Sequence, residues 1–339
     1  MTKKEPVLLC DSEFQAELKD KIKSAQSVCL TTHVNPDGDG LCACLAVKRI
    51  LRNLVPKVEF VVDDLELERY DFLQVQSEVI TLEEAGNYDL VLVIDLHDSN
   101  RLGTRIKLAQ TAKTVLIIDH HEIKEALLPA DFAWIDPSLV CTGWMVHYLF
   151  QSEIANLTSE DKLFVGKCLY TTLLNDTNNF VNSNTNKQAF ELAAKAVEYG
   201  ANPAEISESY LEAHTAAEMK LIGTILLTLE TMQNGKIAVM HCTREMLQQY
   251  GLGPEATSNL TRLIQNLKGV EAAVFAREES SDYYRLSLRS KTIDVNKIAV
   301  KFGGGGHIRA SGCHLKGSLT EVKQLILNEI MQAIAAQEN

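Results

Sequence analysis

No stretch of the chain approaches the ~20 consecutive apolar residues needed to span a bilayer. The longest apolar runs, such as 90–94 and 114–118, have the length of buried strands. The N-terminal MTKKEPVLLCDSEF meets an acid before any apolar core of signal-peptide length, so no leader and a cytoplasmic location are expected. No CxxC pair occurs among the eight cysteines at 10, 29, 42, 44, 141, 168, 242 and 313, which excludes a disulfide scaffold and the usual structural zinc patterns. Positive charge is also in deficit: 33 Lys and Arg against 45 Asp and Glu leave a net charge of −12. A protein that coats long nucleic acid needs broad positive surface, so that class is excluded, whereas a small phosphorylated ligand in one pocket is not.

What is present is ordinary for a soluble fold. The hydrophobic share is 46% and the charged share 23%, which rules out wholesale disorder. The 339 residues suffice for about two domains. Up to about residue 120 the pattern alternates. Helical periodicity at 12–25, 40–54 and 101–111 is interleaved with short apolar runs at 27–32, 57–63, 89–95 and 114–119. Runs apolar on both faces predict a parallel sheet covered by helices. Helices dominate from 141 to about 230, with Thr158 and Asp161 spaced as a capping box and a break near Asn202 and Pro203. After the turn signal at Asn234 and Gly235 come strands, a glycine loop and a helix from Leu319. The expected fold class is α/β, a doubly wound, mostly parallel sheet with a smaller α+β C-terminal domain across a cleft. The expected divisions are a first domain over 1–190, a helical linker over 191–234 and a second domain over 235–339.

The chemistry lies where the apolar strands end. SVCLTT is followed by His33, Asp37 and Asp39 in HVNPDGDG, LVLVI by Asp95, and TVLII by Asp119, His120 and His121. Asp176 follows the apolar face of helix 158–174. In open α/β sheets ligands bind at the carboxyl ends of the strands, so three strands deliver His and Asp to one rim. Four clustered carboxylates repel one another without cations. Two divalent ions bring the charge that Asp37, Asp39, Asp95 and Asp176 need, and a metal pair is a standard device for in-line phosphoryl hydrolysis. Carboxylate-rich sites with imidazole favour Mn²⁺ or Mg²⁺ over structural Zn²⁺. A second feature is a basic island in the acidic chain: residues 283–317 hold seven Lys and Arg and a single acid, Asp294. Gly303, Gly304, Gly305 and Gly306 lie within it, beside His307, Arg285, Arg289 and Arg309. Backbone N–H groups of glycine approach a phosphate closely, and Arg holds its oxygens in bidentate fashion.

HVNPDGDG (33–40), the strand end at Asp95, IDHHE (118–122), LLNDTNNF (173–180) and FGGGGHIRASG (302–312) resemble, in order and spacing, the DHH phosphoesterase family with its DHH-associated C-terminal domain. The resemblance covers nearly the whole chain. It is best to the compact branch of bifunctional oligoribonucleases (nanoRNases) and 3′-phosphoadenosine-5′-phosphate (pAp) phosphatases. It implies that His33, Asp37 and Asp95 bind one ion. Asp39, Asp95, His120 and Asp176 would bind the other, with Asp95 bridging. Mn²⁺ is the expected metal, with Mg²⁺ or Co²⁺ as substitutes. Asp119 would orient the neighbouring imidazole and His121 would meet the scissile phosphate, so His121, Asp119 and Asp95 are the catalytic candidates. Arg285, Arg289, Gly303 to Gly306, His307, Arg309 and Ser311 would hold the substrate. The implied activity is hydrolysis of short oligoribonucleotides to mononucleotides and dephosphorylation of pAp. The implied partner is a short RNA or small nucleotide, with no membrane, and a homodimer is left open. The alternative is a phosphodiesterase for cyclic dinucleotides or their linear products, and beyond it a non-catalytic nucleotide-binding regulator. Three departures stand out: Asn178 where the family usually has Gly, a partial match after DGD in Gly40-Leu41-Cys42-Ala43, and His97, an additional histidine expected to sit on the rim without a role.

Overall fold

The computed structural model of the protein describes residues 5–63, 67–123, 126–211, 215–257 and 260–338. The chain divides into two compact units, Met1–Ala213 and His214–Asn339. In the first, seven strands form one sheet: β1 (Val7–Leu8), β2 (Ser27–Thr31), β3 (Lys57–Val62), β4 (Val79–Thr81), β5 (Leu90–Ile94), β6 (Thr114–Asp119) and β7 (Phe132–Ile135). Their order is β1-β7-β6-β5-β2-β3-β4, and every pairing is parallel. Side chains alternate between two cores. Leu30, Phe60, Leu92 and Leu116 belong to one, and Cys29, Val61, Val91 and Val115 to the other. Both faces are therefore covered, which explains why the strands read as continuous apolar runs. On one face lie α1 (Asp11–Ser24), α2 (Gly38–Leu51), α4 (Thr142–Ala155) and α5 (Ser159–Thr177), and the other carries α3 (Ile106–Thr111). The strand order reverses between β2 and β5, and in doubly wound sheets that switch point opens a crevice at the strands' carboxyl ends.

Two further helices, α6 (Lys187–Glu198) and α7 (Pro203–Leu211), bury Ala189, Leu192, Ala196, Ile206 and Tyr210 in the first unit's core. The next, α8 (Ala216–Leu226), packs Leu221 and Ile225 into a core of the second unit. The helical stretch 191–234 is thus shared between the two units, each helix following its own apolar face.

The second unit is a mixed six-stranded sheet in the order β12-β13-β11-β10-β9-β8. Its strands are β8 (Glu230–Met232), β9 (Ile237–Cys242), β10 (Ala272–Ser280), β11 (Tyr283–Ser290), β12 (Gly305–His307) and β13 (Ala310–Lys316), with helices α9 (Arg244–Tyr250), α10 (Leu260–Gln265), α11 (Val295–Lys301) and α12 (Leu319–Glu338). Only β9 and β10 pair in parallel. Ser318 and Glu321 exchange hydrogen bonds at the start of α12, and Val322, Ile326 and Ile330 are buried, as the sequence predicts. The glycine run differs from a plain loop. Gly305–His307 is an edge strand folded back on β13, with Gly306 at φ 141°, where a Cβ would lie 2.6 Å from the Ala310 carbonyl oxygen. All eight cysteines are free. Among the described residues no helix is long and apolar enough to cross a membrane.

Candidate functional site

Asp37 caps α2. Its Oδ1 accepts from the N–H groups of Asp39 and Gly40 at 3.0 and 3.2 Å, which turns the chain sharply at the end of β2 and sends Asp39 inward. Small residues let the first turn of α2 approach its surroundings. A Cβ on Gly40 would lie 2.3 Å from Thr32 Oγ1 and 3.1 Å from Asp95 Oδ2, and one on Gly38 would lie 2.3 Å from the Tyr210 hydroxyl. Asp95, one residue past β5, takes a left-handed φ of 63°, a conformation that costs a non-glycine residue about 1–3 kcal/mol and clusters at functional sites.

These turns bring the expected residues together. His33 Nδ1 donates to the Val34 carbonyl at 2.8 Å, so its Nε2 faces Asp95 Oδ2 at 3.6 Å and Asp37 Oδ1 at 3.7 Å. His120 repeats the arrangement: Nδ1 donates to the Leu139 carbonyl at 3.3 Å. Its Nε2 faces Asp176 Oδ2 at 3.0 Å, Asp39 Oδ2 at 3.5 Å and Asp95 Oδ1 at 3.6 Å. In the triads His33–Asp37–Asp95 and Asp39–His120–Asp176, one ligand atom from each residue lies within 4.8 Å of the others. Asp95 Oδ2 faces His33, while Oδ1 faces both His120 and, at 3.5 Å, His121 Nδ1. Asp95 forms a third such group with His120 and His121, so its carboxylate adjoins both of the sets that the motifs imply.

The electrostatics are those of a cation site. Burial, then the neighbouring Asp176 and Asp95, push the Asp39 carboxyl well above its ordinary value. Burial also raises Asp95, with Asp37 adding to it. Burial alone would lower His33, but the Asp37 and Asp95 carboxylates outweigh it and lift it to about 9. Burial is likewise outweighed at His120, where Asp176 and Asp39 raise the imidazole to about 11. Both shifts describe carboxylates short of positive charge. Thr32 Oγ1, His33 Nε2 and Asp95 Oδ2 are buried with no hydrogen-bond partner. Such groups carry a penalty unless something else satisfies them. Imidazole Nε2 atoms opposite carboxylates, their Nδ1 atoms tied to carbonyls, suit a divalent cation.

Asp119 serves His121. Its Oδ1 accepts from the His121 backbone N–H at 3.1 Å and from Nδ1 at 2.8 Å. Burial would raise the Asp119 carboxyl, but His121 and His97 hold it far below the ordinary range. His97 is a correction to the expectation of an idle rim residue. It is buried, and its Nδ1 donates to Asp119 Oδ2, so the extra histidine holds the aspartate that holds His121. Sequence reasoning missed three other groups. The N–H groups of Thr142 and Gly143 donate to Asp39 Oδ2 and Oδ1 at 2.7 and 3.1 Å, and the Thr142 hydroxyl donates to Asp95 Oδ1 at 2.9 Å. Asn175 Nδ2 donates to Asp176 Oδ1 at 3.0 Å, while its Oδ1 accepts from Gly38 N–H at 3.2 Å and from the Tyr210 hydroxyl at 2.8 Å. Asn175 lies within LLNDTNNF (173–180), but nothing in the sequence marks Thr142 or Tyr210.

In the second unit Arg285 and Arg289 line a cavity of about 270 Å³ with Arg262, Arg277, Thr257, Thr261, Ser287 and Phe275. Gly305, Gly312, Ser287 and Phe275 are consecutive partners across four strands, so glycine backbone continues that face of the sheet. His307 is exposed on β12. Two predicted residues are employed otherwise. Ser311, paired with core residue Leu288, donates its hydroxyl to the His307 carbonyl at 2.7 Å, and Arg309 Nη1 donates to the Ile293 carbonyl at 2.9 Å.

Two family models match the chain, "DHH family, N-terminal domain" over residues 27–174 and "DHHA1 domain" over 234–336. This is a DHH-family chain with a DHHA1 domain. An uncharacterized protein of Mycoplasma pneumoniae is 28% identical over 334 residues, covering 97% of each chain. The Thermus thermophilus protein named bifunctional oligoribonuclease and PAP phosphatase NrnA is 26% identical over 309 residues, 90% of this chain and 89% of that one. Among solved structures, an exopolyphosphatase-related protein of Bacteroides fragilis shares the fold at TM-score 0.88 and 18% identity, covering 97% of this chain and 98% of that one. RecJ of Thermus thermophilus in complex with Mn²⁺ matches at TM-score 0.53 and 15% identity, covering 97% of this chain and 56% of that one. The DHH departure at Asn178 is absorbed locally. Asn178 ends α5 at φ 49°, the left-handed conformation glycine would supply and asparagine tolerates, and Asp176 keeps its place.

Proposed function

We propose that this DHH-family protein is a divalent-metal-dependent phosphoesterase that hydrolyses short oligoribonucleotides to mononucleotides and removes a phosphate from pAp. The observation that supports this reading most is the pair of triads, His33–Asp37–Asp95 and Asp39–His120–Asp176, with the Asp95 carboxylate facing an imidazole of each and the buried His33 Nε2 and Asp95 Oδ2 left without hydrogen-bond partners. His33, Asp37 and Asp95 would hold one ion, and Asp39, Asp95, His120 and Asp176 the other, most readily Mn²⁺. A bound metal pair supplies Lewis acidity and lowers the pKa of coordinated water. The chain's own groups do the rest. The Asp119 carboxylate fixes His121 through Nδ1, which leaves Nε2 to meet a phosphoryl oxygen. Burial would lower His121, but Asp119 and Asp95 raise it, which favours the protonated form that would donate to developing negative charge. The arginine cavity of the second unit would take a phosphate group of the substrate. Burial, then the adjoining Arg262, press Arg289 below its ordinary value, and an anion in the cavity would offset both effects.

The test is a substrate panel with chelated protein and defined metal. A dinucleotide such as pApA, pAp, a five-residue RNA and cyclic-di-AMP are each incubated with and without Mn²⁺. Mononucleotide release from pApA and phosphate release from pAp, both abolished by chelation and restored by Mn²⁺, are the expected results. Turnover of cyclic-di-AMP alone would replace the reading with a cyclic-dinucleotide phosphodiesterase. No turnover of any substrate with metal would overturn it.

A further inference from the structure

Thr142 opens α4 and is fully buried. It touches two carboxylates of the proposed metal site through different atoms. Its backbone N–H donates to Asp39 Oδ2 at 2.7 Å, and its hydroxyl donates to Asp95 Oδ1 at 2.9 Å. The two oxygens of Asp95 therefore differ. Oδ1 accepts from the hydroxyl and faces His120 Nε2 at 3.6 Å and His121 Nδ1 at 3.5 Å, whereas Oδ2 faces His33 Nε2 at 3.6 Å with no donor of its own. A carboxylate rotates freely about its last torsion, because sp³–sp² torsions have broad minima. A carboxylate that serves two cations through its two separate oxygens needs its plane held so that each oxygen addresses a different one. The backbone of Asp95 is anchored by its N–H, which donates to the Ile118 carbonyl at 2.8 Å, but that fixes only the root of the side chain.

The geometry points to Thr142 as a positioning residue that sets the plane of Asp95, so that Oδ1 serves the Asp39–His120–Asp176 side and Oδ2 the His33–Asp37 side. The inference rests on the metal-dependent reading above and adds to it the group that makes Asp95 a bridge. The hydroxyl proton is directed at Asp95, and Asp39 is held independently by the backbone N–H groups of Thr142 and Gly143. A side-chain change at Thr142 can therefore loosen Asp95 without releasing Asp39.

The test uses the full chain, stripped of metal by chelation and titrated with MnCl₂ in a calorimeter. T142V keeps the side-chain shape and removes the hydroxyl, T142A is a second hydroxyl-free variant, and T142S keeps the hydroxyl. The wild type is expected to take up two ions per chain. T142V should lose at least ~10-fold in affinity for one of them, the lower end of what outer hydrogen-bond partners of metal ligands contribute. Its kcat on pApA should fall at least ~10-fold with KM within ~3-fold, and T142S should stay within ~3-fold of wild type in every measurement. If T142V does not fold, T142A against T142S gives the same comparison. Wild-type-like Mn²⁺ titration by a folded hydroxyl-free variant would overturn the inference. So would an equal loss in T142S, which would assign the effect to methyl packing. A wild-type chain that binds no Mn²⁺ would instead overturn the metal reading, and the role of Thr142 with it.

Discussion

Gly40 shows how little room a single residue has beside Asp95. Its hypothetical Cβ would sit 2.3 Å from Thr32 Oγ1 and 3.1 Å from Asp95 Oδ2, distances at which side chains must move. G40A should therefore lower the unfolding temperature and cut turnover of pApA by at least ~100-fold, since small misplacements of reacting groups have effects of that order. Adding T32A removes the nearest clashing atom. The double variant should regain part of the lost stability, a non-additivity expected of contacting residues and measurable by thermal unfolding of the four proteins in the cycle. Simple additivity would show that the clash is relieved elsewhere. At this scale the sequence discloses residue type and strand-end position, which suffice for His33, Asp37, Asp95 and His120. It does not disclose the partners. His97 and Asp119 are 22 residues apart, Thr142 and Asp39 are 103 apart, and Tyr210 and Asn175 are 35 apart. Such pairs meet only once the sheet is built, and no local period marks them.

Between elements, α2 is held to its neighbours by charge as well as by packing. Lys48 and Arg49 pair with Glu78 at 2.9 and 2.7 Å, and Arg49 and Arg52 pair with Asp161 at 3.3 and 2.5 Å. Burial would raise Asp161, but the Thr158 hydroxyl and the guanidinium of Arg52 outweigh it and hold the carboxyl below its ordinary value. Glu78 is lowered in the same way, burial being outweighed by Lys48 and Arg49. A carboxylate with a depressed folded pKa adds stability at pH values above its unfolded pKa, and that stability is lost as the pH falls through the folded one. D161N should thus unfold ~3–8 °C below wild type at pH 7. The gap should close as the pH drops from about 4 toward 2, where the wild-type carboxyl also becomes neutral. A gap of constant size across that range would mean that Asp161 acts through shape alone. The Thr158–Asp161 spacing predicts a capping box, and Thr158 does accept from the Asp161 N–H at 3.2 Å. The carboxylate takes the arginines of α2 as well, a choice no local spacing encodes. The long apolar strands were legible because their runs are continuous. The edge strands β1 and β4, and β7 beside β1, of two to four residues, are too short for a period to show.

For the molecule as a whole, the net charge of −12 and the arginine-lined cavity pull in opposite directions. An acidic body repels polyanions at a distance, whereas the cavity offers local positive charge to the single phosphate group proposed to enter it. The basic island between 283 and 317 marked Arg285 and Arg289, but Arg262 and Arg277 lie outside it and join them only through α10 and the pairing of β10 with β11. With the metals proposed in the first unit and a phosphate proposed in the second, opposite kinetic signatures are expected for the two units. D95N, which removes charge from the shared carboxylate, should abolish kcat while leaving the fold intact. R289A should raise KM for pApA about 10-fold with kcat within ~2-fold, because it removes binding shared by ground and transition states. Each phosphate contact also adds to the salt dependence of binding, so KM of the wild type should rise between 50 and 200 mM salt, and R289A should show a shallower slope by about one contact. Steady-state kinetics at four salt concentrations measures both quantities. A change in kcat without change in KM, or a salt slope equal to that of wild type, would remove Arg289 from the phosphate site and leave the cavity a structural feature of the second unit.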